Sequence, residues 1–336
     1  MIKLVQEGMD DKLKDIKPFN MDHISKNPGK PRENLLEPWL PRAGLAMVYA
    51  SSGVGKTFFC LNSAYAMASG GEFLKFKSKL PCRVLYIDGE MSYDALQPRI
   101  MMILKLQGNL DDPDNFQLIT CDQFENMIIP KISTLEGQEF YNAIIEQGRF
   151  DVIFMDNIST LTTLVENKSE EWQIVQQWLI QLRANGKSVV LIHHTGKDKK
   201  SQRGTSRRED ILDTAILLEE ADSEEQGEEK NQFGTNFKIT FSKKRNFFGQ
   251  DAESFEAYLG HNAKWTMKTQ SQSTFDKVVE LSKLGLSQTE IAIELKINRS
   301  NVCRAYKKAV EMGLISEKTK GSRKNAQKST YHDKYD

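Results

Sequence analysis

Short apolar runs alternate with amphipathic stretches between residues 44 and 260. The apolar runs with the length and composition of buried strands cover residues 45–49, 84–88, 116–120, 152–156, 189–193, 215–219 and 237–241. Helical spacing of apolar residues predicts helices over 56–69, 93–107, 137–147 and 171–185. Strands that are apolar throughout and alternate with helices predict an α/β fold, a mostly parallel sheet sandwiched by helices.

The last part of the chain has the pattern of three short helices. A first helix over 274–285 is followed by a second over 288–296, which a capping box at Ser287 opens. Asn298 is expected to cap a third helix over 299–312. Two capped helices joined by a four-residue turn are typical of a helix-turn-helix, and the residues that follow suit a β-hairpin wing.

These patterns divide the chain into four parts. Residues 1–35 are polar and punctuated by proline and glycine, and they predict an N-terminal arm. Residues 36–265 hold the α/β domain, 266–273 read as a polar linker, and 274–336 form a small winged helix-turn-helix-like domain.

Composition is that of a water-soluble globular protein. The chain has 336 residues, of which 39% are hydrophobic and 27% charged. No apolar run approaches the ~20 residues that span a bilayer, and the N-terminus lacks the apolar core of a signal peptide. Four scattered cysteines without a CxxC pair indicate reduced thiols, with neither zinc nor disulfides. We therefore expect a cytoplasmic protein without membrane association.

Charge is balanced over the whole chain but not along it. The formal net charge is zero, whereas residues 271–336 carry 13 Lys and Arg against 8 Asp and Glu. A basic C-terminal module on an acidic body favours contact with a polyanion such as DNA.

The strand at 45–49 leads directly into a phosphate-binding P-loop. Its glycines let consecutive backbone N–H groups point at phosphate oxygens of ATP or GTP. Lys56 would reach the β- and γ-phosphates, and the Thr57 hydroxyl would bind Mg²⁺. Ala50 stands where the motif usually has its first glycine. The candidate nucleotide-binding residues of this loop are Ser51, Ser52, Gly53, Val54, Gly55, Lys56, Thr57 and Phe58.

Two acidic residues follow predicted strands at the edge where ligands bind in an open α/β fold. Glu90 is a candidate base that accepts a proton from the water attacking the γ-phosphate. Asp88, two residues earlier, would support the site without contacting the substrate. Asp156 matches a Walker B carboxylate, which with Thr57 would hold Mg²⁺. The alternatives are a surface acid in a loop for Glu90 and a helix N-cap for Asp156.

His193 and His194 end another strand. Neighbouring residues of a strand point to opposite faces, so the two would not chelate one metal ion. A polar sensor of the γ-phosphate is the functional interpretation, and an ordinary hydrogen-bonded histidine is the alternative.

Basic residues supply further candidates. Lys243 and Arg245 follow the strand at 237–241, where cations would stabilise developing phosphate charge. The segment 202–210 is either a DNA-contacting loop or a solvated one. Predicted DNA contacts are Arg203, Arg207 and Arg208 in this segment, Arg299, Ser300, Asn301, Arg304, Lys307 and Lys308 on the third C-terminal helix, and Lys320, Arg323 and Lys324 in the wing. A helical module for protein contacts is the alternative for the C-terminal part.

The joint order of the motifs resembles a known family. LPRAGLAMVYASSGVGKT, RVLYIDGEMS, FDVIFMDN, SVVLIHHTGK, QRGTS and SKKRNFFG occur in that order over roughly residues 35–260. In this order they resemble the RecA-like ATPases of the plasmid RepA replicative-helicase type, which form hexameric rings.

The resemblance implies roles for individual residues. Glu90 would be the catalytic base, Asp156 the magnesium ligand, and His194 the sensor that couples nucleotide to DNA. Lys243 and Arg245 would act on the γ-phosphate of a neighbouring subunit, with Arg207 or Arg208 as the alternative. The loop 197–209 would face the central pore.

Together these features predict a DNA-dependent ATPase of replication that uses ATP and Mg²⁺. We expect a homo-oligomer, a hexamer by resemblance, with single-stranded DNA passing through the ring and duplex DNA bound by the C-terminal module. Replication proteins would be further partners. The C-terminal module is not part of the minimal helicase. An ATP-switched initiator, regulator or helicase loader without motor activity is therefore an alternative, and a recombinase-like filament ATPase is a third possibility.

Overall fold

The described residues form a nine-stranded central sheet. The computed structural model describes residues 18–163, 169–196, 209–221, 236–260 and 264–316. Its strands are β1 (Asn34–Leu36), β2 (Leu40–Pro41), β3 (Leu45–Ala50), β4 (Glu72–Phe73), β5 (Phe76–Lys77), β6 (Val84–Asp88), β7 (Phe116–Thr120), β8 (Val152–Asp156), β9 (Ser188–His194), β10 (Thr214–Glu220), β11 (Asn236–Lys244), β12 (Phe255–Leu259) and β13 (Trp265–Thr269).

The order of strands in the central sheet is β13-β12-β11-β10-β3-β9-β8-β6-β7. The six strands from β10 to β7 are parallel, and β11, β12 and β13 extend the sheet in antiparallel fashion. We call the edge where the parallel strands end the carboxyl edge, and the opposite one the amino edge. β1 pairs with β2 and β4 with β5 in two small ribbons.

Helices cover both faces of the sheet. They are α1 (Met21–Lys26), α2 (Lys56–Ser69), α3 (Tyr93–Gln107), α4 (Leu135–Gly148), α5 (Ile158–Leu161), α6 (Ser169–Ala184), α7 (Gln270–Lys283), α8 (Gln288–Glu294) and α9 (Arg299–Glu311). Alternate residues of β3, β6, β8, β9 and β10 enter two separate cores, so that Val48 packs with α2 and Met47 with α4 and α6. The predicted α/β class, a mostly parallel sheet sandwiched by helices, is confirmed.

The predicted linker was wrong. Residues 266–273 do not form a linker, because 265–269 form β13, which pairs with β12, and α7 begins at residue 270. The predicted arm also contains structure, namely α1 and the start of β1. Strand β13 was not predicted because it lies at the border of the sheet, its side chains are exposed or half-buried, and it has no apolar run.

The last three described helices pack around a small core of their own. Val278, Ile291 and Val302 are fully buried at its centre, one from each helix. Ser287 and Glu290 form the predicted capping box of α8, whereas Asn298 occupies the N-cap position of α9 without a capping bond from its side chain. The predicted wing lies outside the described residues.

Among the helices in the described part of the chain, none combines the length and the apolar character that crossing a bilayer requires.

Candidate nucleotide-binding site

The P-loop joins β3 to α2 at the carboxyl edge. Gly53 and Gly55 have φ angles of 84° and 108°, a region where a side chain would strain the backbone. Gly55 is the N-cap of α2 and offers no side-chain cap, so the N–H groups of the first turn are directed at the space in front of the helix. Ala50 is fully buried as the last residue of β3, which explains why a small side chain suffices there.

Lys56 folds back across the loop. Its Nζ donates to the carbonyl oxygens of Ala50 and Ser51, at 3.2 and 3.1 Å, and lies 3.2 Å from Nδ1 of His194. Burial lowers the pKa of the Lys56 amine, and the charges of Asp156 and Glu90 oppose this shift. The amine is therefore held where the phosphates of a nucleotide would meet the loop.

Thr57 and Asp156, the predicted magnesium pair, are in direct contact. The Thr57 hydroxyl donates to Oδ2 of Asp156 at 2.7 Å, and the hydroxyl of Tyr86 donates to the same oxygen at 2.8 Å. Burial raises the pKa of Asp156, against the lowering effect of these two hydrogen bonds.

The residues around this pair fit a magnesium ion held together with a nucleotide. Within the described ranges no three His, Cys, Asp or Glu side chains are placed to hold a metal by themselves. Magnesium binds through one or two protein oxygens, phosphate oxygens and water, so a complete protein cage is not needed. Beside this pair, Oδ2 of Asp88 is a buried acceptor that has no hydrogen-bond partner in the described part of the chain, as expected where a hydrated cation belongs.

Glu90 lies at the mouth of the same cleft. The side-chain amide of Asn157 donates to Oε2 of Glu90, and Nε2 of His194 lies 4.0 Å from this oxygen. Backbone N–H groups of Glu90 and Met91 donate to Oδ1 of Asp88, at 2.8 and 2.7 Å, which orients the loop that carries the base. Burial and the charge of Asp156 raise the pKa of Asp88 to about 7.

The two histidines of β9 differ in position. His193 is buried, whereas the half-buried His194 lines the cleft with Lys56 and Glu90. His194 is thus the one of the pair that a nucleotide would meet.

The cleft brings together most of the predicted nucleotide residues. It is lined by Ser52, Gly53, Gly55, Lys56, Thr57, Phe58, Asp88, Glu90, Met91, Arg99, Asp156, Asn157 and His194. Ser51 lies beside it, with its hydroxyl 3.1 Å from that of Thr195, and Val54 packs against the core.

Met91, Arg99 and Asn157 also line the cleft, although the sequence motifs did not indicate them. Asn157 directly follows the Walker B carboxylate, which was a usable signal. Arg99 reaches the cleft from α3, two turns into the helix, and no local spacing indicated that.

Lys243 and Arg245 lie at the opposite, amino edge. Residue 244 pairs with residue 214 at the start of β10, and residue 214 pairs with residue 46 at the start of β3. The Lys243 amine donates to the carbonyl of Glu209, and the Arg245 guanidinium donates to the carbonyl of Asp210 at 2.6 Å. These cations therefore do not reach the cleft of their own chain.

The predicted DNA contacts of α9 form one exposed face. All six are exposed, while Val302, Ala305 and Tyr306 of the same helix face the small core. The face consists of Arg299, Ser300, Asn301, Arg304, Lys307 and Lys308. The remaining candidates, Arg203, Arg207, Arg208, Lys320, Arg323 and Lys324, lie outside the described residues.

Comparisons with known proteins agree with an ATP site. Residues 11–200 match the AAA_25 family model, which describes an AAA domain. The chain is 25% identical over 174 residues to a probable metal transport system ATP-binding protein of Chlamydia trachomatis serovar D, an alignment over 46% of this chain. The alignment spans 65% of that relative's length.

Among solved structures, a KaiC-like protein from the hyperthermophilic archaeon Pyrococcus horikoshii OT3 aligns with 71% of this chain and 100% of its own. The TM-score is 0.48 and the sequence identity 12%.

Proposed function

The chain belongs to the AAA domain family of P-loop ATPases, and on that premise we propose that it is a DNA-dependent ATPase. The specific form that we propose is a ring-forming, hexameric replicative DNA helicase of a plasmid, phage or other mobile element. It would hydrolyse ATP between subunits and move along single-stranded DNA. The observation that carries the ATPase part is the convergence of Lys56, Thr57, Asp156, Glu90 and His194 on one cleft.

The cleft supplies each function that phosphoryl transfer to water needs. The first turn of α2 and Lys56 hold the phosphates. Magnesium, when bound, neutralises phosphate charge, and Thr57 and Asp156 would hold it. Glu90 takes the proton of the attacking water, with its carboxylate oriented by Asn157. His194, close to both Lys56 and Glu90, registers the γ-phosphate.

The positions of the cations favour a site completed by a second copy. Lys243 and Arg245 lie at the amino edge, opposite their own cleft, and a head-to-tail contact between copies would bring them to a neighbour's phosphates. Head-to-tail contacts close into rings when the rotation allows it and form filaments when it does not.

DNA is the partner that the C-terminal helices favour. The exposed face of α9 combines the cations Arg299, Arg304 and Lys307 with the polar Asn301, as a helix in a DNA groove would. In this proposal duplex DNA binds there, single-stranded DNA passes the loop at 197–209, and replication proteins are further partners in the cytoplasm.

A strand-displacement assay on forked DNA tests the motor directly. The full chain with ATP and Mg²⁺ should separate the strands and hydrolyse ATP faster when single-stranded DNA is present, whereas the Glu90→Gln variant should do neither. A matched control, Glu139→Gln on the exposed side of α4, should behave like the unsubstituted chain.

The same assay separates the alternatives. An ATPase that ignores single-stranded DNA, displaces no strand and binds duplex DNA through α9 would be an ATP-switched initiator, regulator or loader; the exposed basic face of α9 is the observation that favours this second candidate. Open helical polymers in electron micrographs with ATP and DNA would indicate a recombinase-like filament. The similarity to a metal transport system protein supports ATP binding in this proposal and no role in transport.

A further inference from the structure

The two carboxylate oxygens of Asp88 have different surroundings. Asp88 ends β6, is fully buried, and lines the nucleotide cleft. Its Oδ1 accepts two backbone hydrogen bonds from the Glu90 loop, at 2.8 and 2.7 Å. Its Oδ2 is buried and has no hydrogen-bond partner among the described residues. A buried acceptor of this kind is rare and indicates a missing donor.

The position of Asp88 points to what the donor is. Strands β6 and β8 are parallel neighbours in which Asp88 pairs with Asp156. Side chains at paired positions of adjacent strands point to the same face, so both carboxylates lie on the side of α2, where Tyr86 also donates to Asp156.

The nearby donors are already engaged. The hydroxyls of Thr57 and Tyr86 both donate to Asp156, and the Lys56 amine donates to the backbone of the P-loop. None of these three groups donates to Oδ2 of Asp88, and a ligand that brings water would supply such a donor. Magnesium in nucleotide sites keeps several of its waters, and each of these is a strong donor.

We propose that Asp88 is a second acidic residue of the magnesium site, with Oδ2 accepting a hydrogen bond from a water bound to the metal. Thr57 and Asp156 bind the ion itself. Because Oδ1 holds the backbone of Glu90, Asp88 links the occupancy of the metal site to the position of the base. This inference rests on the ATP·Mg²⁺ binding of the proposed function and is independent of DNA.

The Asp88→Asn variant of the full chain tests this link. The asparagine oxygen can still accept from the N–H groups of Glu90 and Met91, whereas its NH₂ group replaces the acceptor that faces the metal water. Binding of a fluorescent ATP analogue is titrated with Mn²⁺ and, separately, in EDTA. We expect the Mn²⁺ requirement to rise about 10-fold, as for other residues that support a metal through a ligand, and binding in EDTA to change less than about twofold.

Asp122→Asn is the matched control. Asp122 lies just past β7, the strand next to β6, and accepts from the backbone N–H of Tyr93 at 2.9 Å, but it does not line the cleft. It should leave the Mn²⁺ requirement unchanged. The same Mn²⁺ requirement in Asp88→Asn and the unsubstituted chain overturns the role of Asp88 alone. A lack of any metal-dependent nucleotide binding in the unsubstituted chain overturns the proposed function as well.

A measurement on the unsubstituted chain covers the case in which Asp88→Asn does not fold. The protein is labelled with ¹³C in its aspartate carboxyl groups and loaded with Mn²⁺ and ADP, and electron–nuclear double resonance is recorded. We expect one strongly coupled carboxyl carbon from Asp156 and a second, weaker coupling from Asp88. A single coupled aspartate contradicts the proposal.

Discussion

Aspartates stand at strand ends on both edges of the parallel sheet, but those of the amino edge have partners within the protein. Asp213, just before β10, accepts from the Arg32 guanidinium at 2.7 Å and from the N–H of Leu45 at 3.0 Å. Asp151, just before β8, accepts from Arg42 at 2.9 Å. Burial acts to raise the pKa of Asp213, but hydrogen bonds from Arg32, Leu45 and Asn246 together with the charge of Arg32 outweigh burial and lower this pKa from its ordinary value of 3.8.

In the described part of the chain, the aspartates of the carboxyl edge accept no hydrogen bond from a charged side chain. Among the residues that the structure describes, Asp88 has one oxygen without a hydrogen-bond partner, and Asp156 accepts hydrogen bonds only from neutral hydroxyls. Burial raises the pKa of both carboxyl groups. Buried carboxylates without a cation in direct contact are costly to the fold and are expected where a ligand brings positive charge.

Aspartates in similar positions at strand ends therefore stabilise the fold at the amino edge and are suited to bind a ligand at the carboxyl edge. Substitutions at the two edges should have different effects. Changes at the amino edge should alter the free energy of unfolding, and changes at the carboxyl edge should alter catalysis or ligand binding.

Glu90→Gln should have the largest effect. The amide cannot accept the proton of the attacking water, so kcat for ATP hydrolysis should fall about 10²- to 10⁴-fold, while ATP affinity stays within about twofold. Steady-state hydrolysis and a direct binding titration measure the two quantities. Undiminished hydrolysis would remove Glu90 from the role of base.

Asp213→Ala should have the largest effect at the amino edge. It leaves the buried N–H of Leu45 without its acceptor and removes the ion pair with Arg32, so the free energy of unfolding should fall by about 1–3 kcal/mol. Urea denaturation measures the loss, and unchanged nucleotide affinity of the folded variant is the control. Equal stability of the two proteins would contradict the structural role.

The difference in the free energy of unfolding between the unsubstituted chain and Asp213→Ala should depend on pH in a defined direction. In the folded protein the pKa of Asp213 is lowered from 3.8, its ordinary value in an unfolded chain. The ionised carboxylate therefore stabilises the fold above pH 3.8, and this contribution is lost as the pH falls through the folded-state pKa. The stability gap between the unsubstituted chain and Asp213→Ala should therefore narrow from neutral pH to below pH 3.8.

Asn157→Asp should have an intermediate effect at the carboxyl edge. Aspartate can still cap α5, as the Asn157 oxygen does toward the N–H of Thr160, but it loses the donor to Glu90. We expect kcat to fall about 10- to 100-fold with a smaller change in KM, because a hydrogen bond to a charged group contributes about 1.5–3 kcal/mol. A change in KM alone would place Asn157 in nucleotide binding instead.

Local signals in the sequence were sufficient for the core of the site. The runs that form β3, β6 and β8 are apolar because both faces of these strands are covered, and this made Lys56, Glu90 and Asp156 visible at their ends. The same signal failed for β13, whose side chains are exposed or half buried.

Contacts between distant parts of the chain were not predictable in this way. Arg32 and Asp213 are separated by 181 positions, and nothing near either residue indicates the other. Asn157 and His194 meet Glu90 only because β8 and β9 end at the same edge as β6. The sequence motifs identified the strands that carry Lys56, Glu90 and Asp156. The order of the strands in the sheet determines which other side chains contact them.

Arg42→Ala should have the smallest effect and sharpens the comparison within the amino edge. Arg42 pairs with Asp151, but the two side chains are 43% and 32% exposed, so water replaces much of the lost interaction. The free energy of unfolding should fall by less than about 1 kcal/mol, and high salt should reduce the difference further. Asp151 also accepts from the N–H of Arg83 at 3.1 Å, which keeps it in place after the substitution. A loss as large as that of Asp213→Ala would mean that the number of partners, and not their burial, determines stability at this edge.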